Sequence, residues 1–110
     1  MPAEERFITF NLNEIYKSIV IKCTHDDVAP PPKGELTSIT LDENSDQIHV
    51  NLKKDDGSEE KLSYEQKFFA LALVFYCQGS GIPLPNRGQK NLKILDDKII
   101  MKIDLESSYT

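Results

Sequence analysis

Cys23, His25, His49 and Cys77 are the residues of this chain that could ligate a transition metal or supply a thiol–imidazole pair. Two cysteines and two histidines could make a tetrahedral zinc set, with Cys23-x-His25 as one half. No second close pair exists to complete it, and the one spacing present is not that of a zinc pair. Cys77 lies inside an apolar run, where a free thiol behaves as a small hydrophobe, and Cys23 falls on an apolar stripe. A nucleophilic cysteine needs exposure and an activating base, and neither position offers them. The expectation is no metal, no cofactor and no catalytic thiol.

Acidic pairs recur at Asp26-Asp27, Asp42-Glu43, Asp55-Asp56, Glu59-Glu60 and Asp96-Asp97. Each falls in a turn or at the end of an element, where aspartate is favoured because its side chain bonds nearby backbone. Solvated turns are the reading, not a general acid–base pair. Gly79-Ser80-Gly81 has the composition of a phosphate loop, but phosphates bind at helix N-termini and this triplet follows a helix C-terminus. The remaining chemistry is cationic. Gly81-Ile82-Pro83-Leu84-Pro85 makes a stiff stem, and Arg87, Lys90 and Lys93 follow on a turn. Pro83, Leu84, Pro85, Arg87, Lys90 and Lys93 therefore form the candidate interaction surface, suited to an acidic protein segment or a phosphate backbone. Three cations without interleaved aromatics make a poor nucleic-acid footprint.

The element behind this surface is the run from Ser63 to Gly81, apolar or aromatic at every position from Phe68 to Cys77. Ser63 as N-cap with Gln66 three residues later predicts a capping box, and Gly79 or Gly81 followed by Pro83 predicts the stop. The run is too short for a bilayer, so no membrane span is expected. A helix that is apolar all round must be covered on several sides, by a sheet, a second helix or a partner subunit.

The second helix is predicted over residues 12–24. Asn11 and Glu14 form its capping box, and Phe10 and Ile15 staple its entry. Leu12, Ile15, Tyr16, Ile19, Val20 and Cys23 follow helical spacing, against a competing strand preference in Ile19-Val20-Ile21. Residues 1–6 read as a flexible leader, with Phe7–Phe10 as a short extended piece. Residues 28–35, with three consecutive prolines, read as a stiff connector rather than a recognition motif. Thr37, Ile39 and Leu41, then Ile48, Val50 and Leu52, alternate as strands. His49, Asn51 and Lys53 are left on a wet face. Asp55-Asp56-Gly57-Ser58 turns into a short return strand over residues 59–62. Leu92, Ile94 and Leu95 form a strand, Asp96-Asp97 a reversal, and Ile99, Met101, Ile103 and Leu105 the inner face of a last strand. Residues 106–110 read as a frayed tail.

The fold class is therefore α+β: a single two-layer domain over residues 1–110, with two helices on one face of a small antiparallel sheet in the order α-β-β-(β)-α-β-β. With 110 residues, 39% hydrophobic and 28% charged, the chain can bury an ordinary core without disulfides. A net charge of −5 argues against general nucleic-acid affinity. Residues 1–60 hold 13 acids and 6 bases, whereas residues 61–110 hold 5 and 7, so an anionic partner would meet the C-terminal half. The start, Met-Pro-Ala-Glu-Glu-Arg, lacks the basic and apolar regions of a signal peptide, which predicts a cytoplasmic setting and reduced thiols. The functional expectation is a small non-enzymatic interaction module that binds an unknown protein or itself as a homodimer. The alternative is a nucleic-acid adaptor using residues 86–93.

Overall fold

The structure is a computed structural model, and it describes residues 4–84 and 89–105. Eight elements follow in order: β1 (Glu4–Phe10), α1 (Leu12–His25), β2 (Gly34–Asp42), β3 (Gln47–Lys54), β4 (Glu59–Glu65), α2 (Gln66–Gly79), β5 (Gln89–Leu95) and β6 (Lys98–Leu105). The α+β class stands. The strands divide into two antiparallel three-stranded sheets, ordered β1-β6-β5 and β2-β3-β4. Strands β5 and β2 meet at a seam, where the Ile39 N–H donates to Asp97 Oδ1 at 3.2 Å. One core runs beneath both sheets. It joins Phe10, Ile19, Val50, Phe69, Leu73 and Met101, and both helices contribute to it.

Local chemistry explains most boundaries. The Glu14 N–H donates to the Asn11 side chain at 2.8 Å, and the Asn11 N–H donates to the Glu14 carboxylate at 3.1 Å, so the capping box exists as written in the sequence. Phe10 and Ile15 are both buried beside it. The helix wins the competition in Ile19-Val20-Ile21 because burial of Ile15, Ile19 and Cys23 on one stripe outweighs local β preference. At the end of α2 the Ile82 N–H reaches the Cys77 carbonyl at 2.9 Å, and Gly81 takes φ +74°. That left-handed residue is the reason a glycine stands there.

Several boundaries move. Ser63 does not cap α2, because β4 continues through Glu65 in register with β3 and Ser63 pairs with His49. Glu65 holds the cap position without a side-chain bond. The β2–β3 turn takes over, since Asp46 accepts from the Gln66 backbone N–H at 3.2 Å and from Gln66 Nε2 at 2.7 Å. Glu4, Glu5 and Arg6 are not leader but strand, paired with Leu105, Asp104 and Ile103. The expected order thus lacked its first strand, which gives the central strand β6 its second neighbour. Gly34 and Glu35 likewise belong to β2 rather than to the connector. Pro31 is buried and the Tyr16 hydroxyl donates to the Pro32 carbonyl at 2.9 Å, so the proline segment is strapped to α1. The tail at residues 106–110 lies outside the described residues.

Candidate functional site

α2 carries the apolar run, and the chain itself covers most of it. Phe69, Ala72, Leu73 and Cys77 are fully buried. Phe68 stacks on Tyr64 with ring centroids 4.6 Å apart, and Tyr76 meets Phe10 edge-on at 6.3 Å. α1 closes a further side. Lys22, at 11% side-chain exposure, ion-pairs with Asp26 and holds its ammonium 5.5 Å and 5.8 Å from the ring centres of Phe68 and Phe75. Lys22 and then His25 hold the Asp26 carboxyl below its ordinary value. Among the described residues only Leu71, 43% exposed, is a large exposed apolar side chain on this helix.

The candidate chemical groups separate in space. Burial pushes both the Cys23 and Cys77 thiols up, which disfavours the thiolate form. Among the described residues no group of three or more His, Cys, Asp or Glu converges to hold a metal. Asp56 closes its own turn through Ser58, and Asp96 and Asp97 form a two-residue hairpin with φ of 51° and 56°. One arrangement escaped the sequence. On the outer face of the β2-β3-β4 sheet, Ser63 Oγ lies 2.6 Å from His49 Nδ1, and His49 Nε2 lies 3.7 Å from Asp42 Oδ2. Ser45 and Asn44 hold the Asp42 carboxyl low. The order is that of a hydrolytic relay, yet the aspartate contact is beyond hydrogen-bond length and the group lies on an open sheet face. It forms a cross-strand polar ladder, continued by Asn51 donating to Ser38 at 2.6 Å.

Of the expected basic surface, Pro83, Leu84, Lys90 and Lys93 lie among the described residues. Pro85 and Arg87 lie outside the described residues. Pro83 is exposed and its carbonyl accepts from Arg6 at 3.4 Å, while Leu84 packs partly on the core. Lys90 and Lys93 are three residues apart in β5, so alternation sends them to opposite faces. Lys90 shares the helix-side face with Leu92 and Ile94 and borders Gln66 and Lys67 of α2. Lys93 stands on the outer face, opposite Ile100.

That outer face of the β1-β6-β5 sheet is where uncovered apolar surface collects. Phe7, 61% exposed, pairs across to Lys102; half-buried Ile100 follows two residues back along β6; Leu95, 55% exposed, pairs with Lys98. Strand register sets Phe7, Ile100 and Leu95 on one diagonal through all three strands. Lys93, Lys98 and Lys102 surround it, and Lys102 is held by Glu5 at 3.5 Å and Asp104 at 3.6 Å. The other sheet's outer face, with Ser38, Thr40, His49, Asn51, Lys61 and Ser63, presents no comparable stripe among the described residues. No helix among the described residues is long and apolar enough to cross a membrane. Comparisons with protein families, with curated proteins and with solved structures found no match.

Proposed function

We propose that this chain is a small non-catalytic protein-interaction module of the reducing cytoplasm, and that it offers the outer face of the β1-β6-β5 sheet to a protein partner. The observation that carries this reading is the diagonal of Phe7, Ile100 and Leu95 across one sheet, while the described outer face of the other sheet is polar. Lys93 and Lys98 beside that diagonal favour a partner segment bearing carboxylates next to apolar side chains. Glu5 and Asp104 share the face and would repel a phosphate backbone, which disfavours the nucleic-acid alternative. The division of Lys90 from Lys93 disfavours it further.

The test uses a fluorescein-labelled peptide in which leucine alternates with glutamate, titrated by fluorescence anisotropy. Phe7→Ser with Leu95→Ser should weaken its binding by about tenfold or more, since buried aromatic and aliphatic anchors dominate interfaces. Asn51→Ala, on the other outer face, should leave binding unchanged. No saturation by roughly 1 mM, or equal binding by both variants, would sink the proposal.

A further inference from the structure

β4 has β3 on one side, and among the described residues nothing pairs with its other edge. An unpaired edge is a template for another strand, and a second copy of the same edge can supply one about a two-fold axis. Antiparallel self-pairing puts one residue on the axis, and that choice fixes every other pair. Centring on Glu60 or Lys61 sets that residue against itself, and centring on Leu62 sets Glu59 against the partner's Glu65; all three oppose like charges. Centring on Tyr64 leaves no charged pair within the strand. Centring on Ser63 sets Lys61 against the partner's Glu65 twice on the outer face, and Leu62 against the partner's Tyr64 twice on the helix side. The side chains on that edge are already fixed. Tyr64 is stacked on Phe68 at 4.6 Å and meets Phe69 edge-on at 5.5 Å, and Ser63 is held by His49 at 2.6 Å. The open edge of β1 has no such register. Centring there on Glu5 or Arg6 opposes like charges, and centring on Phe7 or Ile8 brings no charge opposite its complement.

From this charge complementarity we infer that two copies of the chain associate through their β4 edges, antiparallel and in register about Ser63, to make one continuous six-stranded sheet. This goes beyond the proposed function and stands apart from it, because Phe7 and Leu95 lie on the other sheet.

Sedimentation equilibrium of the full chain from about 1 to 200 μM tests it, the range over which mass action moves a weak dimer. Lys61→Glu alone and Glu65→Lys alone should each raise the dimer dissociation constant by about tenfold or more, because each opposes like charges twice. The double reversal, Lys61→Glu with Glu65→Lys, should restore it. Should a charge variant lose its far-UV circular dichroism, Ser63→Cys replaces it: mild oxidation should link two copies at the axis, and Asn51→Cys should not. A monomer throughout the range overturns the inference, as do single variants that still dimerise or a double variant without rescue. Phe7→Ser with Leu95→Ser should leave the sedimentation unchanged while weakening peptide binding, so the two readings fail separately.

Discussion

Phe69→Ala removes the side chain on which both layers of the fold lean. Phe69 is fully buried, and the rings of Tyr64 and Phe68 meet it edge-on at 5.5 Å and 5.9 Å. Transfer of a buried aromatic side chain to water costs roughly 1.5–3 kcal/mol, and the cavity left behind brings a phenylalanine-to-alanine change to about 3–5 kcal/mol. Each edge-to-face pair adds about 0.5–1.5 kcal/mol beyond area, which places this site toward the upper end. A chain of this size has a total stability of roughly 5–15 kcal/mol, so the variant should forfeit about a third of it or more. Urea unfolding followed by far-UV circular dichroism measures the loss, with tyrosine fluorescence as second probe because the chain has no tryptophan. The midpoint should fall at an unchanged slope. Leu71→Ala, on the exposed side of the same helix, should cost under about 1 kcal/mol. A Phe69→Ala loss no larger than that of Leu71→Ala would refute the claim that α2 is the centre of the core.

Three further outcomes follow from local geometry. Asn11→Ala should cost about 1 kcal/mol in the same unfolding assay, because it leaves a first-turn N–H of α1 unpaired. Gly34→Ala should destabilise by about 1–3 kcal/mol and loosen the β2–β3 pairing in hydrogen exchange, since a Cβ there would run into the Lys53 carbonyl oxygen. Asp26, Asp42 and Asp56 all have carboxyls held low, through Lys22, Ser45 and Ser58 first of all. With folded values below the unfolded one, the unfolded chain binds more protons in acid. The stability these groups contribute is therefore complete above the ordinary carboxylate value of about 3.9 and is lost as pH falls through the lower folded values. Thermal unfolding should accordingly change little through these groups between pH 7 and about 5 and drop below about pH 4. Asp42→Asn should flatten that drop, and an equally steep drop in the variant would contradict the assignment.

Much of the fold is legible where local and tertiary preferences agree. Asn11 and Glu14 write their capping box within four consecutive residues, and the alternation of Ile48, Val50 and Leu52 matches their burial in β3. The Asp96-Asp97 reversal is also local, because two aspartates accept the positive φ of a tight hairpin. The failures are tertiary. Ser63 and Gln66 carry a capping signal as good as that of Asn11 and Glu14, but pairing of β4 with β3 extends the strand past Ser63 and delivers Asp46 to the helix start instead. Glu4-Glu5-Arg6 looks like a solvated leader because its pairing partner lies about a hundred residues away in β6, and no local pattern announces that register. The candidate site was the least legible part. Cations close in sequence read as one patch, yet the period of two in β5 divides Lys90 from Lys93. Phe7, Ile100 and Leu95 gave no signal, because each is an ordinary apolar residue until three strands are placed side by side.

The most direct test of the interaction face is amide chemical-shift mapping of the isotopically labelled chain during titration with the alternating leucine–glutamate peptide. The proposed face predicts saturable shifts at Phe7, Lys93, Lys98 and Ile100, with His49, Asn51 and Ser63 unmoved. Shifts confined to His49, Asn51 and Ser63, or none at all, would contradict it.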